Sequence, residues 1–271
     1  MPEGHVIHRL ARDLSTTFAG REVRVSSPQG RFADEAARLD GGEFLGAEAC
    51  GKHLFFAVDV PEPSGVHIHL GLIGRLPIRE YAEPVGVVRL RITDGVVAAD
   101  LHGPQWCRAV TRDQWADVMA GSGPDPLRPD ADPERGWARV RRSAKPIAAL
   151  LMDQKIAAGV GNIYRAEVLF RHRVDPMAPG DGLHRPTWRA MWDDLVSLMA
   201  DGVETGRIDT LLPEHMPQAT GRPAREDPHG GEVYVYRRAG QPCIVCGTAI
   251  QTSSLAGRNL YWCPRCQRRK R

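Results

Sequence analysis

The spacing Cys243-x2-Cys246-x16-Cys263-x2-Cys266 constrains this chain more than any other feature of it. Each Cys-x2-Cys pair sits on a tight knuckle, and two knuckles let four thiolates converge tetrahedrally on one zinc ion. Paired disulfides are the competing account. The N-terminus has no basic stretch followed by an apolar core, however, and a chain kept in a reducing compartment holds its cysteines as thiols. The expectation is one structural Zn2+ on Cys243, Cys246, Cys263 and Cys266, closed and without an open position for catalysis. A segment of about 40 residues cannot bury a core unaided, so the metal would supply much of its folding free energy. Cys50 and Cys107 lie far from this set and read as small buried hydrophobes.

Charge singles out the same segment. Val233 to Arg271 holds eight Arg or Lys and no Asp or Glu, which leaves 28 basic against 33 acidic residues in the rest of a chain whose net charge is +3. So dense a cationic patch suits a polyanion such as nucleic acid. A solvated basic tail accounts for Gln267 to Arg271 but not for Arg237, Arg238 and Arg258. No apolar run approaches membrane-spanning length. With 42% hydrophobic and 25% charged residues, the 271-residue chain reads as a cytoplasmic globular protein long enough for more than one domain.

Gly4 to Leu14 reads as a first helix, with Ile7, Leu10, Ala11 and Leu14 at helical spacing. Short alternating segments follow at Glu22–Val25, Lys52–Val58, Val66–Leu70, Val88–Ile92 and Val96–Ala99. Punctuated by Gly and Pro, they predict an antiparallel sandwich or barrel. Alternation places Lys52 on one face with Leu54, Phe56 and Val58, at the end of a buried stripe or snorkelling from it. His67 and His69 also share a face. With no third ligand evident nearby, they read as satisfied or phosphate-contacting histidines rather than a metal site. Gly121 to Pro126 is the clearest linker. Beyond it, Ser143–Lys155, Ile163–Arg171 and Trp188–Met199 carry helical spacing, and Pro213–Gly231 reads as a mobile loop.

Three places suggest chemistry. A small second residue normally lets the initiator Met1 be removed, which would expose the secondary amine of Pro2. A terminal amine titrates near pH 8 (roughly), so part of it is free to attack an aldehyde-level carbon and form an iminium. Glu3 beside it could donate a proton to a leaving group. An ordinary chain start is the other reading of Met1-Pro2-Glu3. In Asp153 to Tyr164 one helix ends, Gly159 and Gly161 allow tight turns, and Asn162 is placed to cap the next helix. This is either a phosphate site at a helix start or a plain helix connection. Ser253 to Trp262 has hairpin length with Gly257-Arg258 at its tip. There Arg258 is either a phosphate contact or a solvated turn residue.

Together these residues resemble the formamidopyrimidine-DNA glycosylase and endonuclease VIII family of base-excision repair enzymes. The matching pieces are Met1-Pro2-Glu3-Gly4, Gly51-Lys52-His53-Leu54, His69-Leu70-Gly71-Leu72-Ile73-Gly74, Gln154 to Tyr164, and Gly257-Arg258 through Cys263-Pro264-x-Cys266-Gln267. The resemblance implies a multi-domain α+β fold. Residues 1–120 would form an N-terminal antiparallel β-sandwich with a leading helix, 121–225 a helical domain with a helix-two-turn-helix motif, and 226–271 a zinc-finger β-hairpin. It implies that Pro2 is a Schiff-base nucleophile and Glu3 its proton donor. Lys52 would serve β-elimination and phosphate binding, Asn162 would bind phosphate, and Arg258 would serve δ-elimination and phosphate contact. His69 joins the DNA-binding set, and Leu72 is an apolar wedge for the gap left by an extruded base. The implied partner is damaged DNA, duplex or with single-stranded or bubble character, met by a monomer in the cytoplasm at the nucleoid.

Met-Pro-Glu-Gly is closer to the endonuclease VIII branch, which prefers oxidised pyrimidines. The Arg-x-Phe loop with which the purine branch probes the opposite base is replaced here by His102-Gly103-Pro104-Gln105-Trp106-Cys107, and Gly71 and Ile73 also depart from the best-known endonuclease VIII. Three other readings stand beside this one: a purine-directed glycosylase, a zinc-ribbon nucleic-acid-binding protein without catalysis, and a tautomerase using an N-terminal proline as base.

Overall fold

The computed structural model describes residues 2–227 and 231–268, and the chain divides into two compact units, Met1–Ser122 and Gly123–Arg271. The first contains α1 (Gly4–Phe18), β1 (Arg24–Ser26), α2 (Ala33–Leu39), β2 (Phe44–Cys50), β3 (His53–Val58), β4 (Gly65–His69), β5 (Ile78–Glu80), β6 (Leu90–Thr93), β7 (Val97–Leu101), β8 (Trp106–Val110) and α3 (Arg112–Gly121). Its strands form two antiparallel sheets in the orders β1-β6-β7-β5 and β2-β3-β4-β8.

Helix α1 exists because Ile7, Ala11, Leu14 and Phe18 recur every three or four residues and bury one stripe against the sheets. Phe44 joins that stripe to the sheet, 5.8 Å from Phe18 and stacked 5.4 Å from Phe56. The Ser15 hydroxyl accepts from the Ala47 N–H (2.8 Å) and donates to the Ala47 carbonyl (3.3 Å), while Gly20 N–H donates to the Phe44 carbonyl (2.9 Å). As the helix residues rise in number their β2 partners fall, so α1 runs antiparallel to β2. Its N-terminus therefore lies toward the Cys50 end of the strand.

At that end Cys50 pairs with His53 across a two-residue turn, Gly51-Lys52, in which Gly51 takes φ 58°. Lys52 thus stands in the turn and not on the strand: a left-handed residue cannot continue the pleat, and the glycine before Lys52 supplies it. β3 leads away from this turn, β4 returns beside it with Leu54 opposite Ile68, and β8 starts there with Trp106 opposite His69. One edge of the unit therefore collects the start of α1, the Lys52 turn, the end of β4 and the start of β8.

The second unit contains α4 (Pro133–Val140), α5 (Ile147–Leu150), α6 (Asn162–Arg171), α7 (Arg185–Thr205), α8 (Pro217–Thr220), β9 (Gln251–Leu255) and β10 (Arg258–Trp262). The helix expected over Ser143–Lys155 shrinks to α5. Pro146 stands at its N-cap, and the chain after Leu151 turns instead, held by the Gln154 side chain. That amide donates to the Met152 (3.1 Å) and Val160 (2.9 Å) carbonyls and accepts from Gly159 N–H (2.9 Å). Every residue of α6 from Asn162 to Phe170 is buried. Leu260 of β10 packs in the same core as Tyr164, Trp188 and Met191, so the hairpin and the helices share one interior. The region read as a mobile loop contains a 3-10 turn at Pro213–His215 and then α8, and residues 228–230 lie outside the described set. Among the described residues no helix is long and apolar enough to cross a membrane.

Candidate active site

In the first unit, Glu3 is the N-cap of α1 in extended conformation (φ −108°, ψ 177°), its carbonyl accepting from Val6 N–H (3.0 Å) and its side chain 0% exposed. Pro2 precedes it, half-buried, while Met1 lies outside the described residues. The antiparallel course of α1 along β2 brings both to the edge that holds Lys52, which is itself half-buried. Once removal of Met1 frees the Pro2 nitrogen, a carboxyl group, a secondary amine and a lysine at one edge could together add to a carbonyl-level carbon, give a proton and take one away.

Behind Lys52 the outer face of β3, β4 and β8 carries a cluster that the sequence reading only half-registered. His67 and His69 do share a face, and His53 joins them: His53 Nδ1 lies 2.9 Å from His67 Nε2, and His67 Nδ1 faces the Arg108 guanidinium at 3.1 and 3.3 Å. Phe55 stacks on His67 at 4.4 Å and on Trp115 of α3 at 4.8 Å. Burial first, then neighbouring imidazoles and Arg108, pushes His67 down to about 3 and His53 down to about 4, so both are neutral near pH 7. His69 stacks on Trp106 at 4.5 Å and is also lowered, by burial and then by the charge of Lys52. These side chains form no group of metal-ligand atoms among the described residues. His53 is next to Lys52 in sequence, but only the strand register shows that it meets His67. Leu72 lies just past the same edge, half exposed.

In the second unit, Asn162 is the first residue of α6, with Gly161 as N-cap, so its side chain does not cap the helix. It is 6% exposed and donates instead to the Asn259 carbonyl of β10 (3.0 Å), while its own amide oxygen accepts from Arg165. Arg165, fully buried, also donates to the Asn259 carbonyl (3.3 Å) and to the Ala148 carbonyl (3.3 Å). Arg258 precedes Asn259, exposed, directly after a turn in which Ala256 (φ 50°) and Gly257 (φ 71°) are both left-handed, the conformation of a type I′ hairpin. Asn162 and Arg258 are therefore one residue apart through Asn259.

The four cysteine sulfurs of Cys243, Cys246, Cys263 and Cys266 lie within 4.8 Å of one another, with Cys243–Cys266 at 3.9 Å and Cys246–Cys263 at 3.5 Å. Zn–S bonds of about 2.3 Å in a tetrahedron require sulfurs about 3.8 Å apart, so the set fits one zinc ion. The Gln267 side chain, 3% exposed, fastens this knuckle to the helices: it accepts from Cys263 N–H (2.9 Å) and donates to the Val174 carbonyl (3.0 Å). Glu167 was missed from sequence as well. Its carboxylate lies inside the apolar run of α6, where charge is out of place without internal donors, and it accepts from three successive backbone N–H groups at Tyr234, Val235 and Tyr236.

The formamidopyrimidine-DNA glycosylase N-terminal domain profile matches residues 1–102, the H2TH domain profile of the same glycosylase residues 122–212, and the zinc finger found in FPG and IleRS residues 240–269. The chain is 50% identical over 275 residues to Endonuclease 8 1 of Mycobacterium tuberculosis, covering 98% of this chain and 100% of that one. It is 31% identical over 277 residues to formamidopyrimidine-DNA glycosylase of Thermus thermophilus, covering 98% of each. Among solved structures, the Thermus MutM (Fpg) protein superposes with a TM-score of 0.75 at 29% identity over 98% of both chains. The Lactococcus lactis glycosylase, solved bound to DNA containing an AP site, superposes with a TM-score of 0.79 at 21% identity, covering 98% of this chain and 100% of that one, which speaks to the fold alone. Neither a bare zinc ribbon nor a tautomerase accounts for profiles running from the first residues to the zinc hairpin; the chain belongs to the formamidopyrimidine-DNA glycosylase and endonuclease VIII family of base-excision repair enzymes, DNA glycosylases with AP lyase activity.

Proposed function

We propose that this chain excises oxidised pyrimidines from damaged DNA through a Schiff base on Pro2 and then cuts the strand by β,δ-elimination. The observation that carries the reading is the edge of the first unit, where α1 delivers Pro2 and buried Glu3 to the Lys52 turn. Pro2 nitrogen bonds to C1′ as the glycosidic bond breaks, and Glu3 protonates the departing base. The sugar ring opens to an iminium that acidifies the C2′–H. Lys52 takes that proton, the 3′ phosphate leaves, and a further elimination assisted by Arg258 releases the 5′ phosphate.

The DNA backbone is met by His69 in the segment 1–120, Asn162 in 121–225 and Arg258 in 226–271, with Leu72 filling the space of the extruded base and the protein working as a monomer. Greater likeness to an endonuclease 8, at 50%, than to a formamidopyrimidine-DNA glycosylase, at 31%, supports the pyrimidine-directed branch.

Borohydride reduction in the presence of an abasic-site duplex tests the reading. A covalent protein–DNA adduct is expected with the native chain and none with Pro2→Gly, although Pro2→Gly still binds the duplex. An undiminished adduct from Pro2→Gly would remove Pro2 as the nucleophile.

A further inference from the structure

Three imidazoles stand behind the Lys52 turn, and fixed donors set where each carries its proton. The Arg108 guanidinium approaches His67 Nδ1 through Nε (3.3 Å) and a terminal nitrogen (3.1 Å), and a guanidinium only donates. His67 therefore accepts at Nδ1 and keeps its proton on Nε2, which lies 2.9 Å from His53 Nδ1. His53 must accept there in turn, so its own proton sits on Nε2. His69 reaches the same tautomer separately: its Nδ1 accepts from Gly71 N–H (3.1 Å), and its Nε2–H goes to Gln105, whose side chain lies over Gly71.

Arg108 closes this chain at one end. A guanidinium cannot take up a further proton, so the line from Arg108 through His67 to His53 cannot carry protons away from the Lys52 turn; it carries orientation. A second proton on either ring would set N–H against N–H, on His53 against His67 and on His67 against Arg108. Both rings therefore stay neutral, in line with the burial that holds them at about 4 and about 3. What remains is His53 Nε2, which has no hydrogen-bond partner among the described residues and is not enclosed. Its ring belongs to the first residue of β3, directly after Lys52, and is flanked by His69 at 5.4 Å and Trp106 at 6.2 Å. An uncharged N–H of fixed tautomer is thus offered at the residue after the lysine.

We propose that His53 is a further DNA-binding residue, donating its Nε2–H to a phosphate oxygen of the strand that Lys52 meets, and that His67 and Arg108 are positioning residues that keep the proton on that nitrogen. A phosphate oxygen only accepts, so an imidazole free to choose its tautomer would spend part of its time offering a bare nitrogen that repels the ligand. The chain from Arg108 removes that choice before DNA arrives. Because His53 brings no charge, it adds affinity without releasing a counterion. The inference rests on the glycosylase reading.

Binding to a duplex carrying an uncleavable abasic analogue, measured across a salt series, tests this together with NMR of the histidine ring nitrogens. In the native protein His53 and His67 should both report the Nε2–H tautomer, and Arg108→Met should let both exchange. His53→Phe should weaken binding by about tenfold and leave the salt slope unchanged. His53→Gln, whose amide can accept from His67 and donate outward, should recover most of that loss. Arg108→Met should cost less than His53→Phe, again with an unchanged slope, and should add nothing in the His53→Phe background. Native affinity in His53→Phe, or a loss that His53→Gln does not relieve, overturns the assignment of His53 alone. An Arg108→Met loss that lowers the slope by about one unit and persists in the His53→Phe background makes Arg108 itself the contact and overturns its positioning role. A native chain that neither binds the duplex nor is trapped on an abasic site by borohydride overturns the glycosylase reading, and this inference with it.

Discussion

Replacing Glu167 by Gln removes one charge and no volume, yet it should be among the most damaging single-atom changes available in the second unit. Oε2 accepts from the Thr210 hydroxyl (2.7 Å) and Tyr234 N–H (2.7 Å), and Oε1 from Val235 N–H (2.9 Å) and Tyr236 N–H (2.8 Å). A glutamine has one oxygen. Turned to Val235 and Tyr236, it leaves its NH2 against Thr210 and Tyr234 N–H. Thr210 can adapt, since its hydroxyl also reaches the Glu232 carbonyl (3.4 Å) and can accept from the amide. The backbone N–H of Tyr234 cannot. One buried donor is then opposed by another, at about 1–3 kcal/mol, and two charge-assisted bonds become neutral ones, for a total of about 2–4 kcal/mol. Glu167→Ala strands three backbone donors and should cost more than about 4 kcal/mol. Denaturant unfolding of the zinc-loaded protein measures both. Hydrogen exchange should show the amides of residues 234–236, which donate to Glu167, losing protection before those of α6. A Glu167→Gln protein within about 0.5 kcal/mol of native, with those amides still protected, would refute the reasoning.

The neutral histidines make stability depend on pH. His53, His67 and His5 are each held at about 3 to 4, mainly by burial, against an unfolded value of 6.5, so the unfolded chain takes up protons that the folded one refuses. Their contribution is complete above pH 6.5 and is lost as pH falls toward 4, by up to about 3 kcal/mol per histidine. Thermal melts from pH 8 to 4.5 should show a decline confined to that window, with a shallower slope in His67→Gln; an equal slope would clear the cluster of responsibility. Cys243→Ser should lose zinc and, with it, most duplex affinity, as metal analysis beside a binding titration will show, whereas full zinc stoichiometry would contradict the four-cysteine site. Arg258→Ala at saturating enzyme should shift cleavage of an abasic site from 3′-phosphate ends toward 3′-unsaturated aldehyde ends on a denaturing gel. An unchanged ratio would leave Arg258 a phosphate contact, marked only by a salt slope lower by about one unit.

The parts of this molecule written in local pattern could be read from sequence, and those written in pairing could not. The Ile7, Ala11 and Leu14 spacing gave α1 to within a turn, and the cysteine knuckles gave the zinc set, because both are determined within a few residues. β2 escaped notice because Gly46 interrupts it with a register shift and its small residues do not alternate, and the brief β8 is recognisable only from its partner β4. Pro146 broke the helix expected over Ser143–Lys155. The site divides the same way. Lys52, His69 and Leu72 are carried by motifs, whereas the partnership of His53 with His67 and the placing of Gln105 over Gly71 follow from which strand lies beside which. Arg165 and Glu167 could have been suspected, as charges inside an otherwise apolar helix, but their partners are dozens of residues away.

The grip of Asn162 and Arg165 on the Asn259 carbonyl bears on how accurately the hairpin is built. A two-stranded hairpin with a mostly exposed surface specifies its own register weakly, and a slip of one residue turns every side chain to the opposite face. In β10 only Leu260 is fully buried, too little by itself to forbid such a slip. Two donors fixed to α6 and aimed at one carbonyl do forbid it. Zinc thus decides whether the hairpin exists, while α6 decides which face Arg258 shows. A loosened grip would yield a folded, fully metallated protein whose cation points the wrong way, so if Arg258 acts in strand cleavage as proposed, faults of aim would appear in that rate and leave no trace in a metal assay.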